Sequence, residues 1–116
     1  MGLQTISRVT CARDERRRAP RFSVSVPIDL RAEGQDVPMR MQTTDLSLTG
    51  CYVETLFPLE AGTRVAIVMS LDGQRVAAKG VVVTHHPQVG NGIEFVSWRD
   101  QDQDKCAAFL ELIECQ

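Results

Sequence analysis

Six arginines stand in the first 21 residues, and four of them belong to one run, Arg16-Arg17-Arg18-Ala19-Pro20-Arg21. A guanidinium group binds paired oxygens in a fork and also stacks flat on a ring. Such a run therefore suits an anion that carries both phosphate and a planar base. Pro20 fixes its own φ and pushes Ala19 towards extended backbone, which makes this a stiff, non-helical lead-in rather than a helix. A second stretch, Asp45-Leu46-Ser47-Leu48-Thr49-Gly50, offers the complementary inventory. Asp45 accepts N–H donors such as those on a guanine edge, Ser47 donates or accepts, and Gly50 allows a positive φ or close approach of a ligand. Each stretch also has a plainer reading. An arginine run is commonly a solvated face, and Asp-x-Ser commonly caps its own backbone in a turn.

Other chemistries find little support. Cys11, Cys51, Cys106 and Cys115 contain no C-x-x-C pair, so no zinc site is expected and they are read as buried or bystander thiols. The two histidines, His85 and His86, are neighbours on an expected strand and point to opposite faces, so they cannot chelate one metal side by side. No G-x-S-x-G or H-E-x-x-H motif occurs, and Ser47 has no identifiable base. The chain is not expected to be an enzyme.

The elements that position the two stretches follow from periodicity. Phe22, Val24, Val26, Ile28 and Leu30 alternate with Ser23, Ser25 and Asp29, the pattern of a half-buried strand. Pro27 cannot donate to a ladder and marks that strand as an edge or bulged one. RAEGQD reads as a turn and VPMRMQT as the next strand, and CYVET follows the DLSLTG loop. LFPLEAGT is a loop, RVAIVMS a strand, and Asp72-Gly73 supplies the positive-φ residues of a hairpin. RVAAKGVVVTH is a long strand whose Gly80 invites a bend, PQVGNG turns the chain, and GIEFV closes the sheet. From Ser97 the period becomes helical: Ser97 serves as N-cap with Asp100 three residues on, Asp102 and Asp104 favour the early turns, and Trp98, Cys106, Leu110 and Ile113 form a stripe. The expected fold is all-β with one helix, a six-stranded antiparallel barrel closed by a C-terminal helix over 98–115.

A chain of 116 residues is one domain's worth. Residues 1–15 are expected to form a flexible basic arm and residues 16–116 the single domain. No apolar run is long enough to span a bilayer, and the N-terminus lacks the apolar core of a signal peptide, so a cytoplasmic location is expected. The net charge of −2 is uneven: residues 1–21 sum to +4, which leaves −6 on the remainder. A basic arm on an acidic body points to a local anion site rather than a broad nucleic-acid surface.

Together the motifs R-x-x-x-R (Arg17 to Arg21) and D-x-S-x-x-G (Asp45 to Gly50), one hairpin apart, resemble those of the PilZ domain family of bacterial cyclic di-GMP receptors. The resemblance runs from Arg16 onward and includes the strand order, the GIEFV strand and the helix after it. It implies a PilZ-like split barrel in which Arg17 and Arg21 grip the guanine bases and phosphates of cyclic di-GMP. Asp45 and Ser47 would bond a guanine edge and the neighbouring backbone, and Gly50 would permit close contact. An Arg just before R-x-x-x-R accompanies an intercalated ligand dimer in this family, so Arg16 implies two stacked ligands. Arg18 is a further phosphate contact, and His86, with Pro87 behind it, a residue flanking the guanine. The arm would fold over the barrel on binding and present a surface to a downstream protein, in control of motility, exopolysaccharide export or attachment. No other cofactor, nucleic-acid polymer or membrane insertion is implied.

Two other readings stand beside this one. A PilZ-like module that contacts only protein would share the fold without the ligand. A small-barrel binder of single-stranded nucleic acid would need a basic groove with stacking rings. With one Trp, one Tyr and four Phe, several of them core candidates, few rings remain to build it.

Overall fold

The structure, a computed structural model, describes residues 19–114. The basic arm expected over 1–15, Arg16, Arg17 and Arg18 of the lead-in, and Cys11 and Cys115 lie outside the described residues.

Six strands form: β1 (Pro27–Ala32), β2 (Met39–Leu46), β3 (Gly50–Glu54), β4 (Arg64–Leu71), β5 (Gln74–His86) and β6 (Gly90–Trp98), followed by one helix, α1 (Asp102–Glu114). All pairings are antiparallel, and they close a barrel in the order β1-β2-β3-β6-β5-β4. Inward positions alternate along each strand, so Ile28, Leu30, Leu46, Val53, Ile67, Met69, Val76 and Val82 fill the interior. The expected six-stranded barrel with one terminal helix is thus the observed fold.

The local expectations fare unevenly. Asp72 and Gly73 both take positive φ (52° and 84°) in the β4–β5 hairpin, as their types require. The first strand is shorter than its alternation suggests. Residues 22–26 keep the in–out pattern but run beside β2 as an irregular lead-in, where buried Thr43 substitutes for ladder bonds: its hydroxyl accepts from Val26 N at 3.0 Å and donates to Val24 O at 2.7 Å. Pro27 is not on an edge strand. It is the first residue of β1, which pairs with both β2 and β4, and the missing N–H falls where the β4 ladder has not yet begun. The turn expected over 87–92 is tighter, since β6 starts at Gly90 and Val89 N donates to His86 O at 3.0 Å, with Gln88 at φ 62°.

The helix also starts later than expected. Ser97 and Trp98 belong to β6, where they pair with Lys79 and Ala78, and Trp98 packs edge-on against Phe95 with ring centroids 5.0 Å apart. The strand pairing overrides the local capping signal. Asp102 instead fastens the helix: its carboxylate accepts from Ala77 N at 2.9 Å and pairs with Arg99 and Lys105 at 3.3 and 3.5 Å. The Ala77 hydrogen bond above all, and then the two cations, hold its pKa below the ordinary carboxylate value. Cys106 and Leu110 then bury one turn apart, with Phe109 and Ile113 against the barrel core.

Candidate functional site

Asp45 owes its position to a β-bulge. On β2, Thr43 pairs with Val53 and Asp45 with Tyr52, so Thr44 is an extra residue against β3. A regular strand would place Asp45 on the same face as Thr43, two residues earlier and buried in the interior. The bulge reverses that parity and turns Asp45 outwards. There it meets the lead-in. Phe22 is bridged to Leu46 by two backbone hydrogen bonds of 2.9 Å, which fixes Arg21 beside β2. Arg21 Nη1 donates to Asp45 Oδ1 at 2.7 Å, with the two side chains 38% and 30% exposed. Residues 24 apart in sequence, one from each motif, are joined at the surface.

Ser47 and Gly50 do different work in this structure. Ser47 is 1% exposed and its hydroxyl is engaged by its own turn. Its Oγ accepts from Thr49 N at 3.1 Å and Gly50 N at 3.2 Å, and lies 3.3 Å from Gly50 O. Ser47 N donates to Gly50 O at 2.8 Å, which closes the tight connection between β2 and β3. Gly50 does not use a positive φ. A Cβ there would lie 2.2 Å from Ile93 O, so the glycine is demanded by the closeness of β3 to β6. The loop is therefore held rigid beneath Asp45.

His86 lies on the same outer wall. Asp45 stands opposite Tyr52, Tyr52 opposite Gly92, and the next outward register pairs His86 with Gly90. Tyr52 Oη and His86 Nδ1 are 2.7 Å apart, with ring centroids 5.8 Å apart and tilted by 34°. The tyrosine ring lies over glycine backbone: a Cβ on Gly90 would come within 2.9 Å of Tyr52 Cε1. Burial first, then the Glu54 and Asp45 carboxylates, raise the pKa of the phenol, so it stays protonated and able to donate to Nδ1. Arg21, Asp45, Tyr52 and His86 thus form one outward row. Tyr52 is the member that sequence reading missed; its only signal was its place two residues after Gly50, on the face opposite Cys51 and Val53.

His85 faces away from this row, as neighbours on a strand should. Its Nδ1 is 2.8 Å from Leu59 O, and buried Asn91 clamps the same residue by accepting from Leu59 N at 2.8 Å and donating to Leu59 O at 3.0 Å. Cys51 and Cys106 are free, buried thiols, each pushed up from 9.0 to about 12 chiefly by burial. Among the described residues no group of three or more His, Cys, Asp or Glu side chains could hold a metal ion. No helix among them is long and apolar enough to cross a membrane.

Comparison with known proteins gives the family and the fold. The family model described as "PilZ domain" matches residues 15–112. Among solved structures, the chain is similar to the Bacillus subtilis inhibitor of motility MotI/DgrA (TM-score 0.65, 15% identity), over 77% of this chain and 46% of that one. The chain thus spans less than half the length of MotI. It is also similar to the PilZ domain of CeSA from a cellulose-synthesising bacterium (TM-score 0.64, 21% identity), over 82% of this chain and 98% of that one. No curated protein sequence matches. The structural likenesses carry the fold alone; the family match, over most of the chain and both motifs, carries the assignment. The chain belongs to the PilZ domain family.

Proposed function

We propose that this domain is a receptor for cyclic di-GMP that acts as an adaptor, passing the signal to a protein partner. The observation that carries the proposal is the Arg21–Asp45 contact of 2.7 Å, which brings the two motifs into one surface row. On this reading Arg17 and Arg21 grip base and phosphate, Asp45 takes the guanine edge, and Ser47 and Gly50 hold the loop that presents it. Arg16 sets a stoichiometry of two stacked ligands, Arg18 adds a phosphate contact, and His86 with Tyr52 flanks a base. Two ligands bring four phosphate charges to a segment with a net +4, so charge is compensated locally. Arm closure over the barrel is the conformational output. MotI is an inhibitor of motility and CeSA comes from a cellulose synthesiser, so motility or exopolysaccharide control is the proposed setting.

Calorimetric titration with cyclic di-GMP, with GTP as control, tests the proposal. Saturable binding near two ligands per chain is expected, falling to one in Arg16→Leu. Each charge-assisted hydrogen bond contributes about 1.5–3 kcal/mol, so Arg21→Ala or Asp45→Ala should weaken binding by roughly 10–100-fold or more. Both variants should stay folded, because an exposed ion pair contributes only about 0.2–1 kcal/mol to stability. A folded parent that shows no heat at tens of micromolar ligand would refute the receptor reading and leave a PilZ module that contacts protein alone. The engagement of Ser47 by its own turn is the observation that favours that second reading.

A further inference from the structure

We propose that the outer wall of β1, β4 and β5 is a docking surface for an acidic segment of a partner protein. This inference does not depend on nucleotide binding. In the barrel order, β4, the middle strand of this wall, lies diametrically across from β3, which carries Tyr52.

The wall contains a depression of about 730 Å³ lined by Arg31, Arg64 and Lys79 around Ala66, Val81 and Val96. Its cause is legible in the register. Arg31 pairs with Ala66, and Ala66 with Lys79, so a small side chain sits between two long cations in one outward row. Two strand spacings put the Arg31 and Lys79 backbones about 10 Å apart. One register further, Arg64 stands opposite Val81. The bulge at Lys79/Gly80 adds Val96 as an extra residue on β6, and Val96 is 69% exposed, an apolar side chain left open to solvent in the lining.

The charges there are unspent. Of the eight Lys and Arg among the described residues, Arg21, Arg40, Arg99 and Lys105 pair with carboxylates. Three of the other four, Arg31, Arg64 and Lys79, line this one depression; the fourth is Arg75. Glu33 is the single acid in the lining, so the depression carries a net +2. Residues 22–116 carry −6 overall. A local positive groove lined in part by apolar side chains, on an otherwise acidic body, selects a short segment with alternating carboxylate and apolar side chains. A nucleic-acid strand fits less well: the lining has no aromatic ring for a base to stack on, and the surrounding acidity repels a long polyphosphate.

The test uses the full chain and a fluorescein-labelled 12-residue peptide of alternating Glu and Ala, read by anisotropy at 50 and 200 mM salt. Saturable binding that weakens at high salt is expected, with little for the matching Lys–Ala peptide. Lys79→Gln and Arg64→Gln should each weaken it several-fold, and Ala66→Leu, which fills the depression without changing charge, should do so too. Arg75→Gln removes an equally unpaired cation outside the groove and should leave binding unchanged. Melting curves confirm that each variant is folded. The proposal is overturned if the parent does not bind, if Arg75→Gln weakens binding as much as Lys79→Gln, or if Ala66→Leu has no effect. It is equally overturned if a 12-nucleotide single strand or phosphatidylserine vesicles bind more tightly than the acidic peptide.

Discussion

Gly50→Ala separates two meanings of the D-x-S-x-x-G motif. If the glycine exists for the ligand, alanine should spare the fold; if it exists for packing, alanine should damage the fold first. An added Cβ would sit 2.2 Å from Ile93 O and must retreat to at least 3.0 Å, so β3 and β6 must part by about 0.8 Å at the register Gly50–Glu94. The obstacle is backbone, which cannot swing aside as a side chain would. Overpacking of this kind costs about 1–3 kcal/mol. The shift also strains the 2.8 Å bond from Ser47 N to Gly50 O and the 2.8 Å bond from Phe95 N to Thr49 O, worth about 1 kcal/mol each. Alanine returns roughly 0.5–1 kcal/mol through the unfolded chain. The net loss is about 2–4 kcal/mol, a large part of a typical 5–15 kcal/mol stability, and on the order of 10–25 °C in Tm. Urea denaturation of Gly50→Ala beside Asp45→Ala measures it, with the latter within about 1 kcal/mol of the parent. A Gly50→Ala protein within 0.5 kcal/mol of the parent would refute the packing argument and return the glycine to the ligand.

Three further outcomes follow from the buried ionisable groups. Burial holds the Cys51 and Cys106 thiols protonated, with pKa values of about 12 against an ordinary 9.0, so iodoacetamide at pH 8 should label neither until urea unfolds the chain, as mass-spectrometric mapping would show. Because their folded pKa values are raised, the unfolded state loses these protons first, and stability should fall as pH rises from about 9 towards 12. Asp102 has the opposite sign. Its folded pKa is lowered, so its contribution is present above 3.8 and lost as pH falls through the folded value. Asp102→Asn should therefore melt lower than the parent at pH 7 and show a flatter decline in acid; parallel acid curves would show that the staple to Ala77 carries no charge-dependent stability.

The sequence carried the barrel because alternation is a local signal: residues 64–71, with Val65, Ile67, Met69 and Leu71 buried, needed no tertiary knowledge to be read as a strand. The Asp72-Gly73 turn was legible for the same reason. Ser97-x-x-Asp100 misled because a capping pattern is also local, whereas the pairing of Trp98 with Ala78 is decided by a strand 20 residues away. Both motif stretches could be seen in the chain, but not the device that joins them, since the bulge at Thr44 has no glycine to announce it. Ser47 and Gly50 have the residue types of binding positions, yet what fixes them is a turn closed on itself and, for Gly50, the carbonyl of Ile93, which comes near only after β3 and β6 meet.

Closure of the barrel also restricts how any partner can attach. Strands of unequal length leave half-edges where one neighbour stops, and those described here are occupied. At Val82, beyond the end of β4, Gly62 N and Thr63 O take up the backbone groups; at Ala77, beyond the end of β6, the Asp102 carboxylate and Arg99 N do the same. Beside β2, Phe22 and Val26 fill the equivalent place. An incoming chain finds no main-chain ladder to extend at these points, so recruitment by adding a strand, common among peptide-binding sheets, is denied there, and recognition passes to side chains that sequence change can retune without disturbing the sheet.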